Sequence, residues 1–444
     1  MASWADRDRR VLWHPFTQHA EWEADPGPVI VRAEGMHLID EDGRRLLDGN
    51  ASLWVCVHGH REPALDDTVA DQLARAAHTT FLGLTHPPAI ELAEQLVALA
   101  PDGLSRVFYS DNGATAVEVA LKMAFQHFAH RGETERRRFI SIAGDYHGDT
   151  LGAVSVGGID VFHSAFRPLL FETVAAEPDD VPAVIEREGE RLCGVIVEPT
   201  IQAAAGMRLH RRGWLAEVRA ACDRAGALLI CDEVATGFGR TGSMWACEAE
   251  GVRPDLLSCG KALTGGYLPL AATLATEDIY ASFLGPYDEF KAFFHGHTYT
   301  ANPLACAVAL ANLRLIEKRD VIGNVRARAA QLAFRLARLA SDQPAVGEVR
   351  QAGLMAAIDL VHPATGCALS PGARFGGRAC RAARDHGAVV RPLGDAVTIV
   401  PPLAIAAADL DALVDAVAAG IADAAAEVAE EPPPEAPTPR VAVP

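Results

Sequence analysis

Between about residue 60 and residue 320, short apolar runs alternate with stretches of helical periodicity, and this alternation constrains the fold more than any other feature of the chain. It is the pattern a mostly parallel α/β sheet requires. Strands are expected at Arg106 to Ser110, Phe139 to Ile142, Gly194 to Glu198, Ala227 to Cys231, Leu256 to Ser258 and Leu268 to Leu274. After the first of them, Asp111-Asn112-Gly113 turns into a helix that carries Val117, Leu121, Ala124 and Phe128 on one face. The helical stretch Trp214 to Arg224 stops at Gly226, a C-cap signal directly ahead of the next strand.

The expected division is an N-terminal segment (1–60) that packs with a small domain, a large domain (61–325), a small α+β domain (326–430) and a disordered, proline-rich tail (431–444). Short strands at Met355 to Leu360, Ala388 to Arg391 and Val397 to Val400, with an alanine-rich helix from Ala406, give the small domain its pattern.

With 444 residues, half of them hydrophobic, the chain can bury a sizeable core. Its 40 basic and 58 acidic residues leave a formal charge of −18, which repels nucleic acid and anionic membrane. Nine scattered cysteines without a C-x-x-C pair fit reduced thiols. With no apolar leader and no span of about 18 apolar residues, a cytoplasmic enzyme is expected.

The chemistry is concentrated at two strand ends. Asp232 closes Ala227 to Cys231, and Lys261 follows Leu256 to Gly260. Burial disfavours an ammonium and leaves a free amine able to condense with an aldehyde. A carboxylate beside it can hold a pyridine ring nitrogen protonated as an electron sink. The alternative is a buried Lys-Asp ion pair joining two strands.

Asp111-Asn112-Gly113-Ala114-Thr115 has the small residues and helix N-terminus of a phosphate cradle, or else is an ordinary N-cap. In Gly144-Asp145-Tyr146-His147-Gly148-Asp149-Thr150, Tyr146 is placed to stack on a flat cofactor or to be a half-buried loop tyrosine. The pairs His58/His60 and His295/His297 fall short of the three or four ligands of a zinc site, and no metal is expected. Arg391 is suited to a bidentate grip on a substrate carboxylate, or to a salt bridge between domains.

Together these strings resemble the class III, fold-type I pyridoxal-phosphate aminotransferases from about Trp13 to Leu403. The segment Ile230-Cys231-Asp232-Glu233-Val234-Ala235-Thr236-Gly237-Phe238-Gly239-Arg240-Thr241-Gly242, ahead of Gly260-Lys261-Ala262-Leu263-Thr264-Gly265-Gly266, carries the class signature. Trp13 to Gln18, Tyr146 to Thr150, His295 to Thr298 and Val390 to Gly394 are similar to the branch that aminates 8-amino-7-oxononanoate in biotin biosynthesis.

The resemblance implies pyridoxal 5′-phosphate as cofactor and a homodimer with shared sites. Lys261 then binds the cofactor covalently and shuttles a proton, Asp232 pairs with the pyridine N–H, and Tyr146 covers the ring. Asn112, Gly113 and Ala114 take the phosphate, and Thr298 reaches the phosphate of the neighbouring subunit's cofactor. Phe16, Leu53, Trp54, Gly296 and Arg391 join Tyr146 and Lys261 around the substrate, with Arg391 on its carboxylate. Members that use S-adenosylmethionine as donor typically carry tyrosine at the position of Phe16 and a tryptophan pair at Leu53-Trp54. Phe16 and Leu53 resemble instead the branch in which some members take the amino group from lysine, whereas S-adenosylmethionine is the commoner donor in the family, so the expected donor is S-adenosylmethionine or lysine. The alternatives are another class III reaction on an ω-amino acid or diamine with pyruvate or 2-oxoglutarate, and a non-catalytic, metal-binding protein.

Overall fold

A computed structural model describes residues 2–429; the proline-rich tail lies outside the described residues. Seven strands form the central sheet: β1 (Leu104–Ser110), β2 (Arg138–Ile142), β3 (Val174–Ala176), β4 (Leu192–Val197), β5 (Leu228–Asp232), β6 (Leu256–Cys259) and β7 (Ala271–Thr276). Their order is β1-β7-β6-β5-β4-β2-β3. All neighbours pair parallel except β7, which runs antiparallel to both β1 and β6. β4 and β6 are buried at every position, so their unbroken apolar sequence reflects helices on both faces. The large core continues through Trp214, Phe238 and Trp245.

Most expected strands stand within a few residues of their places. The strand expected at Leu268 begins at Ala271 because Pro269 has no N–H to donate to the ladder. β3, only three residues long at the sheet edge, is too short to show a period. The single strand expected at Ala388 to Arg391 is two. Ala388–Val389 pairs parallel with Arg45–Asp48, whereas Arg391–Leu393 pairs antiparallel with Ala396–Ile399 as an edge strand, where Pro392 is tolerated.

Through Ala388–Val389 the N-terminal strands Ile30–Glu34, His37–Asp40 and Arg45–Asp48 share a four-stranded sheet with the C-terminal part of the chain. A second four-stranded sheet runs Val346–Ala352, Met355–Leu360, Ala396–Ile399, Arg391–Leu393, all antiparallel. The helices Phe375–Asp385 and Ala407–Ala429 pack on each other beside it. All described cysteines are unpaired, and only Cys367 is exposed. No described helix is long and apolar enough to cross a membrane.

Candidate active site

In a parallel sheet the carboxyl ends of the strands open onto the loops that hold ligands. Here four such ends converge. β5 ends in Asp232, and Lys261 lies just past the end of β6, whose Ser258 is in register with Asp232. β4 is followed by Glu198, and β2 by the loop with Asp145, Tyr146 and His147. Asp232, Lys261, Glu198, Tyr146 and His147 line a cavity of about 750 Å³. Lys261 has φ 42°, a left-handed conformation costly for a side chain with a Cβ and typical of functional strain. Its burial pushes the amine's pKa down, against the opposing pull of Asp232 and Glu198.

Asp232 is 5% exposed. Oδ1 accepts from Val234 N–H at 3.0 Å, and Oδ2 lies 2.8 Å from His147 Nδ1. Burial opposes charge on His147, but Asp145 and Asp232 outweigh it and raise the imidazole to about 10. Glu198 accepts from Tyr146 N–H at 2.9 Å and Ala203 N–H at 3.0 Å. Burial, then the charge of Asp145, raises its carboxyl pKa.

At the other side of the cavity the helix Gly113–His130 begins. Asn112 caps it, its Oδ1 accepting from Thr115 N–H at 3.1 Å, so cap and cavity rim are the same residue. No acceptor among the described residues meets the N–H groups of Gly113 or Ala114. A Cβ on Gly113 would sit 2.5 Å from Val234 Cγ1, so only glycine lets the helix start this close to β5's exit loop. Unfilled N–H groups, a carboxylate, a pKa-depressed amine and an aromatic side chain in one cavity fit a phosphate-bearing pyridine aldehyde.

Trp54 stands over Lys261, its ring centroid 5.4 Å from Nζ. It ends a run of four left-handed residues, Ala51, Ser52, Leu53 and Trp54 (φ 43°, 48°, 73° and 69°). Leu53 and Tyr146 line both this cavity and a neighbouring one of about 1480 Å³ that holds Phe16 and Arg391. The Arg391 guanidinium is 5.7 Å from the Phe16 ring and, among the described residues, makes no ion pair. The inter-domain salt bridge is therefore not its role. Phe162 meets the rings of Phe16 and Tyr146 edge-on at 5.4 and 6.2 Å. Tyr146 Oη donates to Asp149 Oδ2 at 2.9 Å.

Gly296 and Thr298 are not brought to either cavity of this chain; both are exposed. Their loop is pinned to the Gly113–His130 helix region by His297 Nδ1 to Asp111 Oδ2 at 2.8 Å and by His295 Nδ1 to Lys122 Nζ at 2.9 Å. The other histidine pair is divided, with His60 on Asp48 at 3.0 Å and His58 buried without a hydrogen bond. No group of three or more side chains placed to hold a metal ion occurs among the described residues. Sequence reasoning assigned no role to Asp145, His147, Asp149, Phe162 or Glu198. A signal existed for Glu198, an acid closing an unbroken apolar run; the others acquire partners only in the fold.

The family described as Aminotransferase class-III matches residues 19–421. An adenosylmethionine-8-amino-7-oxononanoate aminotransferase of Geobacter sulfurreducens is 49% identical over 432 residues, 92% of this chain and 95% of the relative. One from Nitratidesulfovibrio vulgaris is 48% identical, over 93% of this chain and 80% of the relative. Among solved structures, the enzyme of that name from Methanocaldococcus jannaschii superposes with a TM-score of 0.92 at 40% identity, covering 94% of this chain and 98% of the other. A PLP-bound amine transaminase from an uncultivated Pseudomonas species gives 0.87 at 36% identity, covering 93% and 98%.

Proposed function

Because this chain belongs to the class III aminotransferases, a family of pyridoxal-phosphate-dependent transferases, we propose that it aminates 8-amino-7-oxononanoate to 7,8-diaminononanoate in biotin biosynthesis, with S-adenosylmethionine as amino donor. The observation that carries this reading is Arg391, a half-buried guanidinium without an ion pair among the described residues, in the cavity that continues from Lys261 and suited to the carboxylate of a long keto substrate. The names of relatives at 39–49% identity support the same substrate and donor.

Gly113 and Ala114 would hold the cofactor's phosphate through N–H groups at the rim capped by Asn112, with Asp232 for its ring nitrogen and Tyr146 for its ring. When bound, the cofactor supplies an aldehyde that captures amines and a protonated ring that takes up the electrons of a broken C–H bond. Lys261 Nζ, whose pKa burial lowers, provides the covalent anchor. Once released it moves the proton that leaves and returns in each half of the reaction. Asp232 keeps a negative charge at the ring nitrogen. Trp54 and Leu53 exclude water above Lys261, and Phe16 and Phe162 give apolar walls to the chain of the substrate.

Lysine as donor is the second reading. Phe16 offers no hydroxyl, and Leu53 offers no aromatic face to a sulfonium. The assembly is a cytoplasmic homodimer in which Thr298, beside Gly296, reaches the phosphate bound by the neighbouring subunit. The chain divides into segment 1–60, large domain 61–325 and small domain 326–430.

The test loads purified protein with pyridoxal phosphate, adds S-adenosylmethionine or lysine separately, and follows the cofactor's visible band. Loss of the band with one donor and its recovery with 8-amino-7-oxononanoate establishes the reaction and names the donor. No change with either donor, but loss with an ω-amino acid, overturns the substrate reading.

A further inference from the structure

Asp145 is completely buried, and the reaction described above gives it no task. Its Oδ1 accepts from Gln202 Nε2 at 2.6 Å. Among the described residues its Oδ2 has no hydrogen bond, and it lies 3.6 Å from His147 Nε2, which is also without one. The opposite nitrogen of the same ring, Nδ1, lies 2.8 Å from Asp232 Oδ2. An ionised carboxylate only accepts, so Nδ1 donates to Asp232, and the second carboxylate at ion-pair distance from Nε2 favours the charged imidazolium. A buried carboxylate is tolerated only with a counter-charge, and His147 is the one cationic partner that Asp145 contacts among the described residues.

Asp145, His147 and Asp232 thus form a buried line of alternating charge that ends at the cavity. The other titratable groups that feel its charges include Glu198, Tyr146, Cys259, His163 and His210. Lys261, just past the neighbouring strand, feels the charges of Asp232 and Arg240. Burial keeps His163 and His210 toward the neutral form, so neither supplies the counter-charge.

We propose that Asp145 is a positioning residue for the transfer reaction, which acts through His147 to fix the orientation and charge of Asp232 and so sets how tightly the pyridine N–H is held. The proposal rests on the assignment of Asp232 to the ring nitrogen. With Asp145 in place, His147 stays protonated and its Nδ1–H holds Oδ2, leaving the rest of the carboxylate group to the ring. Without it, His147 has one carboxylate instead of two in a buried setting and loses its proton in the neutral range, and the charge-assisted bond to Asp232 weakens.

The test uses the full chain with 15N-labelled histidine, with and without pyridoxal phosphate. His147, assigned by its loss in His147→Gln, is expected to show both ring nitrogens protonated through pH 8 in the unmodified protein. In the near-isosteric Asp145→Asn it is expected to titrate at or below pH 7. The cofactor's dissociation constant should rise about tenfold, the scale on which second-layer partners act. The double variant Asp145→Asn/His147→Gln should bind the cofactor no worse than His147→Gln alone. A neutral His147 in the unmodified protein overturns the proposal even if every variant fails to fold, and so do additive effects in the double variant. Asp232→Asn separates the two layers. If it leaves cofactor affinity unchanged, the assignment of Asp232 falls; if it weakens affinity while Asp145→Asn does not, only the role of Asp145 falls.

Discussion

Asp48 lies outside the reaction, yet its replacement is expected to disarm the site through the left-handed turn. Ala51 to Trp54 occupy a conformation that costs an L-residue about 1–2 kcal/mol each, or about 4–8 kcal/mol for the turn. Asp48, 2% exposed, ties it down by accepting from Ser52 N–H at 3.0 Å, Ser52 Oγ at 2.7 Å and His60 Nε2 at 3.0 Å. Hydrogen bonds to a charged group contribute about 1.5–3 kcal/mol each and are not additive, so Asp48→Ala should loosen the turn by about 3–5 kcal/mol. At 1.4 kcal/mol per tenfold, that is a rise of 10² or more in hydrogen-exchange rates for the amides of Ser52 and Trp54 to Cys56. Because Trp54 stands over Lys261, KM should rise with it. Burial works to raise the Asp48 carboxyl pKa, but His60 and Ser52 outweigh it and hold the pKa below the ordinary range. A depressed carboxylate contributes stability above its unfolded value, about 4, and loses it as pH falls through the folded value. The exchange difference between the unmodified protein and Asp48→Asn should therefore shrink below about pH 4. Asp48→Ala with protected turn amides, or a difference that stays constant down to pH 3, refutes the reasoning.

Lys261→Ala should fold, lose the visible absorbance of the covalently held cofactor and lower turnover by at least about 10⁴-fold; a yellow, active variant sinks the assignment of the lysine. Gly113→Ala should weaken cofactor binding by about 1–3 kcal/mol, since the new methyl meets Val234, and Val234→Ala in the same protein should restore part of the affinity in equilibrium titration. Arg391→Ala should raise KM for the keto substrate by about 30- to 150-fold while the cofactor's spectrum stays unchanged, and Arg391→Lys should fall between, because it keeps the charge and loses the fork. Equal KM values for all three proteins would remove Arg391 from the substrate's carboxylate.

The sheet was legible because strands such as β4 and β6 are buried on both faces and so read as unbroken apolar runs. Asp232 and Lys261 were legible for a related reason, as the charged residues that interrupt such runs at their exits. What the sequence does not carry is the pairing of residues distant along the chain. The bond between His147 and Asp232 spans 85 positions, and the site's second cavity brings Phe16 beside Arg391. The turn at Ala51 to Trp54 is equally silent, because left-handed backbone is normally announced by glycine or asparagine and here is imposed by Asp48 on residues that resist it. The N-terminal strands escaped notice since their outward positions, such as Arg32 and Glu34, carry charge and their sheet is completed only by Ala388–Val389.

The electrostatics of the site follow from one requirement, that the amine of Lys261 be free while carboxylates stand around it. Burial lowers the amine's pKa, whereas Asp232 and Glu198 act to raise it. Two ionised carboxylates facing the lysine would favour the ammonium form and silence it as a nucleophile. Glu198 withdraws from that competition because its own burial and the nearby charge of Asp145 push it toward the protonated acid. The charge of Asp232 is shared with His147, whose proton is secured from behind by Asp145. Asp145 therefore bears on both sides of the balance, by discouraging ionisation of Glu198 and by holding the cation against Asp232. Asp145→Asn should accordingly let Glu198 ionise at lower pH and raise the pH at which Lys261 becomes a free amine. A pH profile for the rate of pyridoxal phosphate capture by cofactor-free protein that is unmoved in Asp145→Asn would mean that Asp145 has no hold on the charge of the lysine.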